Sequence, residues 1–218
     1  MKQILLVFSI LFLLTSCEIQ YDAETKIVVT GQIIDENGIP IPHKNIDITI
    51  FAFDGIYSSD DLISFGKSDL NGYFTMVFPA PKGDYDFFID INNIINQPNE
   101  FETKEIIAKR NNFEKYKLDL NKITLYKTDA ITNLTLQLNK TSSNKLLKDI
   151  QIEGKLSNSH IDLNFKNEPF NLNTNYAVIK NQIVILKYII IDTSNSSSTP
   201  YSVPITINND KVIYIINY

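Results

Sequence analysis

Apolar side chains recur at every second position through most of this chain, and that period leaves little choice of fold. Ile27, Val29, Gly31 and Ile33 alternate with Val28, Thr30 and Gln32; Ile46, Ile48 and Ile50 alternate with Asp47 and Thr49; Tyr85, Phe87, Ile89 and Ile91 alternate with Asp84, Asp86 and Asp90. A strand sends successive side chains to opposite faces, so this pattern makes one face apolar and leaves the other to water. Leu118 and Leu120, Ile123 and Leu125, Leu134 to Leu138, Ile150 to Glu153 and Ile161 to Phe165 continue it. Gln182 to Asp192 is almost wholly apolar, as in a strand covered on both faces, and Val212, Tyr214, Ile216 and Tyr218 share one face at the end. Glu36-Asn37-Gly38, Phe53-Asp54-Gly55, Leu70-Asn71-Gly72 and Lys82-Gly83-Asp84 punctuate the runs with residues that tolerate positive φ. Ser194 to Pro200 reads as a solvated hairpin loop, and Glu100 to Phe113 fits neither period cleanly. The expectation is an all-β protein of two small antiparallel β-sandwiches.

The first seventeen residues follow a different rule. Lys2 precedes an apolar run from Ile4 to Leu14, broken only by Ser9, and Leu14-Thr15-Ser16-Cys17 follows. The run matches a secretory h-region of about 7–15 residues and falls short of the roughly 20 that a spanning helix needs. An aliphatic residue, two small ones and a cysteine resemble a bacterial lipobox. The resemblance implies cleavage before Cys17, a lipidated cysteine as the new N-terminus, and attachment to a membrane. Cys17 is the only cysteine in the chain, so there is neither a disulfide framework nor a cysteine-ligated metal. Two or three acyl chains, each buried methylene worth about 0.8 kcal/mol, anchor durably where one does not.

Residues 26–127 carry a second likeness. Val29-x-Gly31-x-Ile33, the Asn37 to Pro42 turn, Ile46-x-Ile48, Ser68-Asp69-x-Asn71-Gly72-Tyr73-Phe74, the strand from Tyr85 and Leu120 to Leu125 resemble the carboxypeptidase-regulatory-like domain, a transthyretin-like sandwich of about seven strands. It departs in a Phe53 to Phe65 insertion and in a long Asn92 to Lys117 stretch. The resemblance implies a non-catalytic role. Residues 128–218 match no motif and are expected to form a second, immunoglobulin-like sandwich packed on the first. The division is thus 1–16 signal peptide, 17–25 solvated lipidated tether, 26–127 first sandwich and 128–218 second.

Chemistry is sparse. His43 and His160 fall in different expected domains, and there is no His-Glu-x-x-His, Gly-x-Ser-x-Gly or phosphate-cradling loop. No catalytic, metal or cofactor residue is assigned, and an enzyme, a hydrolase included, is the less favoured reading. Asp69-x-Asn71-Gly72 resembles the start of a calcium loop but runs at once into a strand, so its carboxylate is expected to serve the turn. Asp60-Asp61 and Asp84/Asp86/Asp90 could gather a cation if they converged, but the last three share one strand face, where like charges repel, and a solvated face is the expectation. A formal net charge of −5 with no basic cluster argues against nucleic acid. Phe53, Ile56, Tyr57, Leu62, Ile63 and Phe65 are many large apolar groups for one loop. They are expected to fold back onto a sandwich; the alternative is a partner contact through Phe53, Ile56, Tyr57 and Phe65, since loops on rigid scaffolds carry recognition. Taken together these features predict a lipid-anchored envelope protein, at the outer membrane on its periplasmic or surface face. It would act as a binding or scaffold module, or as an accessory subunit of a transport or adhesion complex.

Overall fold

A computed structural model describes residues 19–53, 58–93, 99–164 and 173–218. The protein is all-β. Seven strands arise from the first half of the chain: β1 (Tyr21–Ile34), β2 (Asn45–Phe53), β3 (Ser58–Lys67), β4 (Tyr73–Pro81), β5 (Asp86–Ile91), β6 (Lys104–Ala108) and β7 (Lys117–Thr124). Seven more follow: β8 (Ile131–Asn139), β9 (Lys145–Glu153), β10 (His160–Asp162), β11 (Asn175–Ile179), β12 (Gln182–Asp192), β13 (Ser197–Ile207) and β14 (Lys211–Asn217). A three-stranded sheet β4-β1-β7 faces a five-stranded sheet β10-β6-β5-β2-β3, and sheets β11-β8-β14 and β13-β12-β9 form the second pair.

The alternation decides which face of each strand is buried. In the first pair of sheets, Ile27, Val29 and Ile33 of β1 and Phe74, Met76 and Phe78 of β4 pack with Ile46, Ile48 and Ile50 of β2 and Phe87, Ile89 and Ile91 of β5. Phe78 and Phe87, one from each sheet, bring their rings to 6.2 Å. Burying one such side chain contributes roughly 1.5–3 kcal/mol. A second cluster, from Leu134 to Ile216, gathers Leu134 and Leu136 of β8, Val184 and Leu186 of β12, and Ile205 and Ile207 of β13.

Several expectations need correction. The sheets are mixed rather than wholly antiparallel: β1 runs parallel to β7, β8 to β14, and β10 to β6. In each half the first and last strands are therefore parallel neighbours, a pairing made possible because the intervening chain crosses between sheets. The stretch expected as a tether to residue 25 is already structure. Ile19 is buried in the first core, and Tyr21 and Asp22 pair with Pro81 and Ala80, because an apolar residue this close to the sheet finds a place under it. Glu100 to Phe113 holds β6 and a 3-10 turn at Arg110–Asn112. Among the described residues strand β12 is fully buried on one face only. Val184, Leu186, Tyr188 and Ile190 point inward, whereas Ile183 is 62% exposed, since β12 lies in an outer layer with a sheet on one side alone. Of Ser194 to Pro200, Ser197 onward belongs to β13 and continues the pairing with β12.

One segment of the second half crosses back. Ser157 donates its N–H to Ala177 in β11, and three residues later His160–Asp162 add β10 to the edge of the first half's five-stranded sheet. The backbone bonds Glu105 N–H to Ser159 and Leu163 N–H to Ile107 extend that pairing at both ends.

Candidate functional site

The residues singled out as a possible partner contact fall on the β2–β3 hairpin. Ile56 and Tyr57, with the rest of 54–57, lie outside the described residues. Phe53 ends β2, pairing with Ser58, and Phe65 lies in β3, opposite Asp47. The supposed insertion is thus mostly strand. Its period was obscured by a bulge: Ile48 pairs with Ser64 but Thr49 with Leu62, and the skipped Ile63 packs against the core. Phe65 is 77% exposed and Leu62 54%, so neither folds back as expected.

Both stand on the outer face of the five-stranded sheet, where cross-strand register builds rows. One row runs Phe65, Asp47, Asp90, Glu105, His160. The next alternate row runs Leu62, Thr49, Phe88, Ile107, Asp162. Phe51 meets Phe88 edge-on at 6.0 Å. Directly opposed like charges oppose pairing. Burial first, and then the neighbouring Glu105 and Asp47 carboxylates, push the Asp90 carboxyl above the usual carboxylate range. His160 Nδ1 lies 2.6 Å from Glu105 Oε1 at the end of the row. Below, Lys109 Nζ pairs with Asp86 at 3.5 Å. The face presents an aromatic and aliphatic strip edged by carboxylates. Side chains of the histidine-carboxylate pair are open to solvent, at 61% and 35% exposure, and His43 sits in a turn at the other end of β2. Among the described residues no group of three or more His, Cys, Asp or Glu is placed to hold a metal ion.

The Asp-x-Asn-Gly segments act as turn builders. Asp69 Oδ1 accepts the N–H groups of Asn71 and Tyr73, each at 2.8 Å, and Asp35 Oδ1 accepts those of Asn37 and Ile39 in the same way. Gly38 and Gly72 complete the two turns at φ 81° and 74°. Both carboxylates are spent on backbone donors, as the sequence suggested for Asp69.

Sequence reasoning missed a buried polar junction. Glu102 is 5% exposed and Lys104 6%, with Lys104 Nζ 3.5 Å from Glu102 Oε1. The same carboxylate accepts the Tyr126 N–H at 3.1 Å and the hydroxyl of Ser157, which arrives from the second half. Desolvation, then the Glu102 and Glu36 charges, raise the Tyr126 phenol above its ordinary range. No local signal marked these residues, because Ser157 is 55 positions away in sequence.

A second open surface lies where β4 ends. Pro81, Lys82, Gly83 and Asp84 face Lys109, Arg110 and Asn111 across a shallow pocket of about 580 Å³. Arg110 stacks its guanidinium 4.8 Å over the Tyr116 ring. Cys17, the expected lipid site, lies outside the described residues. Among those described, no helix is long and apolar enough to cross a membrane.

No family model matches the chain, and no curated protein does. Among solved structures it is similar to a 9R-lipoxygenase from Cyanothece PCC8801, at 19% identity and a TM-score of 0.29, over 55% of this chain and 20% of that one. It is also similar to a variant of the shaft pilin spaA from Lactobacillus rhamnosus GG, at 7% identity and 0.36, over 88% and 98%. The tip fimbrial protein Mfa3 from Porphyromonas gingivalis aligns at 12% and 0.29, over 83% and 82%. The chain thus spans a fifth of the lipoxygenase's length. Likeness at these scores carries no argument about activity.

Proposed function

We propose that this protein is a lipid-anchored bacterial envelope protein that works as a non-catalytic binding or scaffold module. One observation carries the reading: Leu14-Thr15-Ser16-Cys17 closes an eleven-residue, largely apolar run, and its cysteine is the only one in the chain. A thioether-linked diacylglyceryl group on that sulfur supplies the hydrophobic area that a membrane anchor needs. The working surface on this reading is the outer face of the five-stranded sheet, where Phe65, Leu62 and the partly covered Phe88 stand among carboxylates. In a native host, fractionation of wild type and Cys17→Ser after feeding a clickable fatty acid tests the anchor. Wild type should carry label in the membrane fraction, and the variant should carry none. A serine variant that remains labelled sinks the proposal.

The place of β3 at the edge of its sheet among the described residues favours a second reading, an accessory subunit of an outer-membrane transport or adhesion complex. An edge strand offers unpaired backbone groups to another chain, and β3 combines that with exposed Leu62 and Phe65. Mild detergent extraction separates the two. A stoichiometric partner lost on Phe65→Ser supports the subunit reading, and a lone wild-type protein supports the first.

A further inference from the structure

The chain between the lipid and the fold is very short. Ile19 is 8% exposed within the first core, the Gln20 carbonyl accepts the Lys82 N–H at 2.8 Å, and Tyr21 pairs with Pro81. Glu18 alone separates Ile19 from Cys17. Two extended residues span at most about 7 Å. A lipid on Cys17 therefore has almost no leash, and the part of the sandwich beside Ile19 must meet the bilayer surface.

That part is the pocket between the 81–84 and 109–111 turns. Lys82, Lys109 and Arg110, the chain's only arginine, stand around it. Lys109 is engaged by Asp86 and Arg110 by the Tyr116 ring, while the Asp22 carboxyl is held low by the Thr25 hydroxyl and the Glu24 N–H, with only a small further part from Lys82. Asp84 lines the same pocket and Asp86 pairs with Lys109, so the end as a whole is not positive, and attraction for an anion belongs to the Lys82 and Arg110 side chains themselves.

Resting on the lipoprotein reading, we infer that this end of the first sandwich lies on the membrane, with Lys82 and Arg110 against lipid headgroup phosphates. Guanidinium and ammonium groups bind phosphate oxygens through charge-assisted bonds, and cations close to an anionic leaflet are drawn to it. Strand β4 leads from this end to the Leu70-Asn71-Gly72 turn. Its nine residues span roughly 27 Å, the most by which that turn can stand farther from the bilayer.

The test uses the full-length lipidated protein in vesicles of phosphatidylethanolamine and phosphatidylglycerol, doped with headgroup spin-labelled lipid. With Cys17 occupied, a dye goes onto one introduced thiol, Asp84→Cys or Leu70→Cys, both exposed positions. The dye at position 84 should lose most of its emission, and the dye at position 70 should keep its own. Adding Lys82→Gln and Arg110→Gln should restore part of the emission at position 84. Equal emission at the two positions in labelled, vesicle-bound protein overturns the orientation and leaves the anchor standing. Quenching at position 84 unchanged by the double substitution overturns the phosphate contact. Protein that takes no fatty-acid label and stays off the vesicles overturns the anchor itself, and this inference with it.

Discussion

A Cβ placed on Gly72 would lie 2.3 Å from the Ile33 carbonyl oxygen, at a φ of 74°. Backbone on backbone cannot yield as a flexible side chain can, and positive φ already disfavours any L residue. Gly72→Ala should therefore destabilise by at least about 1–3 kcal/mol, read as a lower denaturant midpoint. Gly38, with φ 81° and nothing within 4 Å of its own Cβ position, should lose less on the same change. The neighbouring carboxylates set a pH dependence. Burial pushes the Asp35 carboxyl up, but the N–H groups of Ile39 and Asn37 outweigh it and hold the group below its ordinary 3.8. A carboxyl depressed in the fold stabilises it above the unfolded pKa and ceases to do so as pH falls through the folded one. The Asp35 contribution should thus be complete above about pH 4 and fade below it, and Asp35→Asn should flatten that part of a stability-versus-pH curve.

Strand register makes sharper demands. Phe74 on β4 is 4% exposed and Phe65 on β3 is 77% exposed, although both are aromatic residues in strands. Phe74→Ala should cost about 3–5 kcal/mol, and Phe65→Ser less than about 0.5 kcal/mol. Equal effects in urea titrations would mean a register one residue out. The inward faces of β1, β2, β4 and β5 were legible because each repeats its pattern over several residues. Strand β3 was not, since the skipped Ile63 breaks the period and an edge strand exposes apolar side chains that composition assigns to a core. Nor was β10, whose three residues take their pairing from β6, far away in sequence. The Glu102–Lys104 pair was silent for the same reason. Glu102→Ala would leave Lys104 buried without its counter-charge, a loss of about 3–5 kcal/mol, measurable by thermal unfolding. Of the candidate surface, the sequence marked Phe65 but not the Asp47, Asp90, Glu105 and His160 row, which exists only once four strands lie side by side.

At the scale of the whole molecule, two cores share one continuous scaffold. Strand β10 and the Ser157 hydroxyl tie the second half to the first, and Lys180 donates its N–H to Ala130 beside the connection between them. The proposed anchor enters this scaffold at Ile19, at one end of the first sandwich. The account rests most directly on the chemistry of Cys17. Mass spectrometry of the mature protein's N-terminal peptide measures it. The account predicts a chain that begins at Cys17 and carries the added mass of a diacylglyceryl group, with or without a third acyl chain. A free thiol at Cys17, or a chain cleaved elsewhere with no lipid, would contradict it.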